Sequence, residues 1–317
     1  MRHIRRLPME KPTNINTISC ETLQARLNDG QPITIIDTLP EDHFQRGHLP
    51  SARNACVFMV DFQHQVGEIA AHQTTPVVLY GSDSWTRDAE MAAEKLLRTG
   101  YTDVSVLDGG ISAWVKKGMV LEGNHPNGLA ATEKATLIEN KTYAIDANQS
   151  TIEWAGRNPG TRHVGTLQLK EGRIEAKDGI FSGAFIIDMR TIKNTNLEGD
   201  ELQPVLESHL KSDDFFFVDI FPEVEFNIER AVPLDKAPLS SPNYHVSGQL
   251  TLRGIRAELE FDTIVNRLPD GRLTAEAHFD FDRTRWNVIY GSSRFFEHLG
   301  MHLVFDFITL QLKMVTQ

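Results

Sequence analysis

Hydrophobic residues follow two different periods along the 317-residue chain, and the change falls near residue 120. Ahead of it, short apolar runs at 34–37, 76–80 and 103–107 are typical of buried strands. Residues 88–98 instead carry apolar positions at helical spacing, and Gly100 follows them as a stop signal. Strands that alternate with helices predict an α/β domain, in which helices cover both faces of a parallel sheet.

Beyond residue 140 the apolar positions recur at every second residue. Val224, Phe226 and Ile228, for example, alternate with glutamate or asparagine, and several further stretches show the same pattern. Many strands with one apolar and one polar face predict an antiparallel sheet, and closure of that sheet into a barrel leaves it no free edge. A helix is predicted at 201–210. We therefore expect the second half to be an all-β antiparallel barrel with one short helix.

Between these two patterns the composition shifts to residues that favour turns. Residues 123–130 read Gly-Asn-His-Pro-Asn-Gly-Leu-Ala, which favours neither a helix nor a strand. We therefore predict a first domain at 1–120, a linker at 121–140 and a second domain at 141–317. The length of the chain supports two domains of ordinary size.

Net charge and cysteine content argue against several classes of function. The chain has 32 lysine and arginine residues against 43 aspartate and glutamate residues, and the net charge of −11 disfavours binding to nucleic acid or to an anionic membrane surface. Its two cysteines, Cys20 and Cys56, are too few for a disulfide framework or a cysteine-based zinc site. We find neither the apolar run of a secretory signal nor a stretch that could span a bilayer. A cytoplasmic protein is therefore expected.

Four segments of the first half match, in order, motifs of the rhodanese-like family. They are residues 35–44, 46–54, 76–80 and 106–114. The resemblance implies a rhodanese-like parallel sheet, and in sulfur-transferring members a cysteine follows the strand that corresponds to 77–80. This chain has Gly81 at that position. Because only a thiolate can accept sulfane sulfur as a persulfide, the resemblance implies a catalytically degenerate module.

The loop after the vacated position keeps other features of such a site. It consists of Gly81, Ser82, Asp83, Ser84, Trp85, Thr86 and Arg87, and its arginine has a spacing similar to that of phosphatases related to the rhodaneses. Backbone N–H groups at a helix start could cradle an anion there, although the Asp83 carboxylate would repel one. Cys56 is the fallback thiol, with burial as a small apolar residue as its alternative role. Sulfur transfer through Cys56 and phosphoryl chemistry in the 81–87 loop stay open as enzymatic hypotheses.

A second resemblance covers the chain from residue 142 to its end. The residues that carry it lie at 143–154, 163–165, 188–192, 209–216, 221–222, 246–254, 282–286 and 290–291. In type and spacing they are similar to those of the YceI-like family. The resemblance implies a lipocalin-like antiparallel barrel whose interior, in studied relatives, holds a long apolar chain such as a polyisoprenoid.

Candidate ligand-binding residues come from the parity of the strands and from one aromatic segment. The side chains with inward parity are Ile152, Trp154, Phe185, Phe226, Leu250, Phe279 and Phe281. Trp286, Tyr290 and Phe296 lie in or near a loop expected at the mouth of the barrel. For each inward residue, ordinary core packing is the alternative role.

Histidines of the second half are candidate metal ligands or polar anchors. His163 shares its parity with Leu167 and Leu169, which favours an inward side chain that hydrogen-bonds a core partner or a ligand head group. His209, His298 and His302 lie in the same domain, but no HExxH motif or helical histidine pair supports a metal site. We predict neither a metal nor a cofactor.

The sequence thus predicts a noncatalytic binding or carrier protein, which holds an apolar small molecule such as an isoprenoid or another lipid inside the barrel. The degenerate rhodanese-like module would serve docking, homodimer formation or anion sensing. The enzymatic hypotheses and a structural scaffold with a solid barrel are the alternatives, because the sequence does not decide whether the lumen is open.

Overall fold

The computed structural model describes residues 15–125, 138–235, 237–238 and 240–317. The chain divides into two compact units, Met1–Lys134 and Ala135–Gln317. Of the linker predicted at 121–140, residues 126–137 lie outside the described residues. Within the first unit, the backbone of Glu122 pairs with that of His48.

Strands and helices alternate along the first unit. Its elements are β1 (Asn16–Ile18), α1 (Cys20–Asn28), β2 (Thr34–Asp37), α2 (Glu41–Arg46), β3 (Arg53–Asn54), α3 (Phe62–Ile69), β4 (Val77–Tyr80), α4 (Asp88–Arg98), β5 (Val104–Leu107) and α5 (Gly110–Lys116). The strands form one sheet in the order β1-β5-β4-β2-β3, and its pairs are parallel. The α/β class expected for the first half is confirmed.

This sheet is buried on both faces, which explains the unbroken apolar run of β4. Val77 and Leu79 pack with Leu96 of α4, whereas Val78 packs with Trp114 of α5. Because successive side chains of a strand point to opposite faces, the two hydrophobic clusters lie on opposite sides of the sheet. The middle strand, β4, leads directly into the 81–87 loop, so this loop starts from the centre of the sheet.

The second unit is built from long strands and one α-helix in its described part. Its elements are β6 (Thr142–Ala144), β7 (Thr151–Arg157), β8 (Arg162–Lys177), β9 (Ile180–Asn194), α6 (Leu202–Lys211), β10 (Glu223–Pro233), β11 (Tyr244–Leu252), β12 (Ile255–Arg267), β13 (Leu273–Asp282) and β14 (Phe307–Val315). The strand order is β6-β8-β7-β14-β13-β12-β11-β10-β9, and a further pairing of β8 with β9 closes the sheet. The strands β7 to β14 thus form an eight-stranded antiparallel barrel, which confirms the class expected for the second half.

One seam of the barrel is held by side chains rather than by a full ladder. The register between β12 and β13 covers residues 264–267 and 273–276. Farther along these strands the ring of Phe261 stacks on that of Phe279, with centroids 4.3 Å apart and an interplanar angle of 6°. Aromatic packing therefore joins the two strands where they diverge.

Within the described part of the chain, none of the helices combines the length and the apolar character that a bilayer-crossing helix requires.

Candidate functional site

Gly81 lies directly after β4, and the side chain of Asp88 occupies the space beside it. A Cβ atom at position 81 would lie 2.9 Å from both Cβ and Oδ2 of Asp88, and 3.3 Å from the backbone nitrogen of Ala89. Non-bonded carbon atoms are in favourable contact only from about 3.5 Å. Any side chain at position 81 would therefore have to displace Asp88.

The Asp88 carboxylate supplies a negative charge beside the position where a thiolate would stand. Asp88 lies in the first turn of α4, and its Oδ2 accepts a hydrogen bond from the N–H of Ser82 at 3.4 Å. The helix dipole and the unpaired N–H groups of a first turn favour a carboxylate there. The Asp88 carboxylate thus supplies the negative charge at the position where a bound anion would lie.

The other charged side chains of the loop, Asp83 and Arg87, form hydrogen bonds or an ion pair within the first unit. Oδ1 of Asp83 accepts hydrogen bonds from the N–H groups of Trp85 at 2.8 Å and Thr86 at 3.0 Å. Arg87 reaches along α4, where its Nη2 lies 3.0 Å from Oε1 of Glu94. These contacts stabilise the loop and the helix, and the Trp85 side chain is left 79% exposed.

A small pocket of about 80 Å³ lies beside this loop and has an acidic lining. The lining includes the carboxylates of Asp83, Glu90 and Asp108 and the hydroxyl groups of Ser84 and Thr86. Among the described residues that line it, none is lysine, arginine or histidine. Like charges repel, so this pocket disfavours phosphate and sulfur oxyanions.

The two cysteines are buried and do not form a disulfide. Cys56 is 8% exposed, lies between the core residues Ala55 and Val57, and is not among the residues that line the acidic pocket. Cys20 begins α1, and burial raises the pKa of its thiol. Burial of both thiols limits the access on which cysteine reactivity depends.

We expect Gly81→Cys alone to give no sulfur transfer and to destabilise the first unit by roughly 1–3 kcal/mol, because the new side chain overlaps Asp88. The adjacent carboxylate would also raise the pKa of the new thiol. The double variant Gly81→Cys/Asp88→Gly removes both atoms of residue 88 that the new Cβ atom would meet, so it is expected to recover part of the lost stability and to present a titratable thiol. Thiosulfate:cyanide turnover, thiol titration and denaturant unfolding measure these three properties.

Gly67→Cys is the matched control for this series. A Cβ atom at Gly67 in α3 would meet no atom within 4 Å, so the introduced thiol is expected to leave stability within about 0.5 kcal/mol of the parent protein. Turnover by the single Gly81→Cys variant, with Asp88 in place, would contradict the steric argument.

The lumen of the barrel contains a cavity of about 290 Å³, called here the large cavity. Its walls are mainly aliphatic and aromatic, and they come from strands β7 to β11, β13 and β14, from α6 and from the chain that joins β13 to β14. An apolar cavity of about 150 Å³ is sufficient for benzene, so the large cavity has room for roughly twice that volume of ligand.

Six residues proposed from the sequence line the large cavity. They are Ile152, Trp154, His163, Leu250, Phe281 and Tyr290. The first five lie on barrel strands, and Tyr290 follows β13. The parity of β7, β8, β11 and β13 therefore identified the lumen side of these strands.

The other five proposed residues lie elsewhere. Phe185 lines a second cavity of about 90 Å³, called here the small cavity, whereas Phe226 and Phe279 line neither cavity. Trp286 is fully buried and donates its indole N–H to a backbone carbonyl of β11 at 2.8 Å. Phe296 is 45% exposed. The aromatic residues expected together at the mouth are thus divided among the cavity wall, the core and the surface.

Four phenylalanine rings, called here the aromatic layer, separate the two cavities. Phe226 packs on Phe185 and Phe261 at centroid distances of 5.5 and 5.6 Å, and Phe261 stacks on Phe279. In the strand register, Phe226 lies opposite Phe185 on β9 and Leu250 on β11, which line the small and the large cavity respectively. The aromatic layer therefore lies between residues that line the two cavities.

On the wall of the large cavity, Arg283 holds the chain segment that joins β13 to β14, called here the mouth loop (residues 287–306). Arg283 is 1% exposed, and burial lowers the pKa of its guanidinium. The guanidinium donates hydrogen bonds to four backbone carbonyls, those of Val288, Tyr290, Val304 and Phe305. One side chain thereby joins the beginning and the end of the mouth loop.

Basic side chains are the ionisable groups on the wall of the large cavity. They are Arg157, His163, His209, Arg283 and His302, and among the described residues that line the cavity none is acidic. A wall of this kind favours a ligand whose polar part accepts hydrogen bonds or is negatively charged.

The histidines weighed as metal ligands differ in position. His163, His209 and His302 line the large cavity, whereas His298 is exposed. His209 is engaged elsewhere, because its Nε2 lies 3.0 Å from Oδ2 of Asp214. The described residues contain no group of three histidine, cysteine, aspartate or glutamate side chains that could hold a metal ion.

Sequence reasoning missed the contribution of α6 and the residues after it. Leu206, His209 and Leu210 of α6 and the following Phe215 and Phe216 all line the large cavity. Leu206 and Leu210 are four residues apart and share one helix face, so the helical period was an available signal. It was not used because only the strands were expected to enclose the lumen.

Comparisons with known proteins cover both units. A family model described as a YceI-like domain matches residues 143–316, and one described as a Rhodanese-like domain matches residues 19–117. Both resemblances seen in the sequence are thereby confirmed. Among curated proteins no match is found.

Similar solved structures correspond to one unit at a time. BcnA from Burkholderia cenocepacia has 16% identity and a TM-score of 0.42, with 55% of this chain and 99% of that chain covered. A polyisoprenoid binding domain from Saccharophagus degradans has 16% identity and a TM-score of 0.41, with coverages of 55% and 97%. For thiosulfate sulfurtransferase from Pseudomonas aeruginosa the values are 26% identity, a TM-score of 0.32, and coverages of 35% and 20%.

The family assignment rests on the extent of the model matches. The Rhodanese-like match covers most of the described first unit, and the YceI-like match spans more than half of the whole chain. This protein therefore belongs to the YceI-like family and carries a Rhodanese-like domain ahead of its YceI-like domain.

Proposed function

We propose that this protein is a noncatalytic binding or carrier protein, which holds the chain of one isoprenoid or lipid-like ligand in the large cavity. The observation that carries the proposal is the cavity itself, about 290 Å³ in volume with mainly apolar walls. Each Å² of apolar ligand surface moved from water into such a site contributes about 25 cal/mol. The YceI-like family resemblance, which implies an apolar chain in the lumen, supports the same function.

In this proposal the first unit docks the protein to a partner or to a second copy and performs no chemistry. Three observations support this role: the glycine at position 81, the Asp88 carboxylate beside it, and the acidic lining of the adjacent pocket. The acidic lining also disfavours the alternative of anion sensing. Because Cys20 and Cys56 are both free thiols, the cytoplasm is the compartment we propose.

Native mass spectrometry of gently purified protein, followed by titration with farnesol, tests the binding function. Leu250→Trp is expected to weaken farnesol binding roughly tenfold or more, because the larger side chain fills the large cavity. Val246→Phe, on the same strand, fills the small cavity instead and should change the affinity by no more than about twofold.

Two results would overturn this function. Protein that is repeatedly empty and binds no farnesol would favour the scaffold with a closed barrel. Equal binding by the parent protein and the Leu250→Trp variant would place the ligand outside the large cavity.

A further inference from the structure

Two polar nitrogen atoms on the wall of the large cavity are buried without a hydrogen-bond partner. They are Nε1 of Trp154 and Nδ1 of His163. Trp154 is 8% exposed, so its N–H group is also removed from bulk water. Buried polar groups in folded proteins are nearly always hydrogen-bonded, and each exception indicates a missing partner.

The strand register brings these two side chains to one place. Trp154 on β7 lies opposite Gly165 on β8, and His163 lies opposite Gly156 two positions away. Residues that are diagonal in an antiparallel pair lie on the same face, about 7–8 Å apart. A single ligand group between them can therefore contact both nitrogen atoms.

Packing fixes the indole of Trp154. A Cβ atom at Gly165 would lie 2.6 Å from Cζ2 and 2.7 Å from Cε2 of that ring, so the indole lies directly against the backbone of β8. Cε2 is bonded to Nε1, and no atom of the described residues accepts a hydrogen bond from this N–H group. A ligand group in the large cavity would supply the acceptor.

The chemistry of the donor defines the partner. An indole N–H group can only donate a hydrogen bond, and a neutral histidine donates from Nδ1 in one of its two tautomers. Among the described residues of the cavity wall, Arg157 and His302 are basic and none is acidic. The polar part of the ligand is therefore an acceptor, such as the oxygen of an alcohol, a carbonyl or a phosphate.

We propose that Trp154 and His163 form the head-group site of the large cavity, in which Nε1 and Nδ1 both donate to one oxygen atom of a single-chain amphiphile. This inference rests on the proposed function, because the apolar chain of the same ligand fills the rest of the cavity. It assigns to Trp154 a specific polar contact in addition to its packing.

The test compares farnesol with farnesene, a hydrocarbon of the same chain length that has no oxygen. Trp154→Phe keeps an aromatic ring and removes the N–H donor. We expect this variant to bind farnesol roughly five- to tenfold more weakly than the parent protein and to bind farnesene equally well. His163→Phe is expected to act in the same direction, and titration calorimetry with ligand delivered from cyclodextrin measures the affinities of all three proteins for both ligands.

Trp286→Phe is the matched control, since the Trp286 indole also donates a hydrogen bond, to the backbone carbonyl of Leu250, but Trp286 itself is not among the residues that line the large cavity. Its ratio of farnesol to farnesene affinity should equal that of the parent protein. Farnesyl phosphate, titrated in parallel, distinguishes a phosphate oxygen from a hydroxyl as the preferred acceptor.

The two levels of the hypothesis fail in different ways. If the parent protein binds neither farnesol nor farnesene, the proposed function is wrong. If it binds both, and Trp154→Phe lowers the two affinities equally or leaves both unchanged, the head-group site is wrong while the apolar cavity remains a binding site.

Discussion

Replacement of Arg283 by methionine is expected to destabilise the barrel unit by about 3–5 kcal/mol and to abolish ligand binding. Methionine has a similar length but removes the donor from four backbone carbonyl groups, one buried and three partly buried, and a fully buried group left unsatisfied costs about 1–3 kcal/mol. Arg283→Lys is expected to recover only part of this loss, because an ammonium group cannot reach four acceptors in the geometry of a planar guanidinium.

Hydrogen exchange of the intact protein measures this effect locally. The N–H groups of residues 288–305 should exchange faster in Arg283→Met, because the two ends of the mouth loop are no longer joined. Arg285→Met is the matched control, since Arg285 is exposed and its guanidinium lies over the face of the Trp286 ring. A cation–π contact of this kind contributes about 0.5–1 kcal/mol at exposed sites. If both variants exchange alike, the ion pairs of Arg294 with Asp282 and Asp306 hold the loop instead.

The spacing of hydrophobic residues was sufficient to predict both fold classes, because each spacing corresponds to one pattern of burial in the fold. The unbroken apolar run of β4 fits a strand that is covered on both faces, with Val77 and Val78 in separate clusters. Strict alternation in β11 fits a barrel wall with Val246 and Leu250 inside. Neither inference needs any knowledge of contacts between distant residues.

Periodicity predicts on which face of a strand a side chain lies, but it does not predict how deep in the lumen of the barrel that side chain lies. Phe226 and Leu250 share inward parity and lie opposite each other in the strand register, yet Leu250 lines the large cavity whereas Phe226 lies within the aromatic layer. The difference depends on the rings that meet Phe226 from β9 and β12. Those contacts form between strands of the closed barrel, so the local sequence around Phe226 does not indicate them.

The environment of Gly81 shows the same limit in the first unit. The missing cysteine was evident from the motif, and Asp83 was expected to be the charge that opposes an anion. Asp88, however, lies against position 81, because the start of α4 folds back over the end of β4. Asp83 instead accepts hydrogen bonds within its own turn. Turn and helix geometry, rather than residue type, decides which carboxylate fills the site.

Phe226→Ala is expected to lengthen the chain that the barrel can hold. Phe226 is 1% exposed and forms the centre of the aromatic layer, so its removal should join the large cavity to the small cavity of about 90 Å³. The variant should lose about 3–5 kcal/mol of stability, as other buried phenylalanines do on truncation to alanine. Each further methylene group that is buried contributes about 0.8 kcal/mol, an affinity gain of about fourfold.

Affinities for geraniol, farnesol and geranylgeraniol measure this change. In the parent protein the gain with chain length should stop where the chain meets the aromatic layer, whereas in Phe226→Ala it should continue to the longest prenol. Phe181→Ala is the matched control, because Phe181 is equally buried and lines the small cavity but lies outside the layer. It should cost similar stability without changing the preferred length. A shift of equal size in both variants would mean that general loosening of the barrel, and not the aromatic layer, sets the length of the ligand.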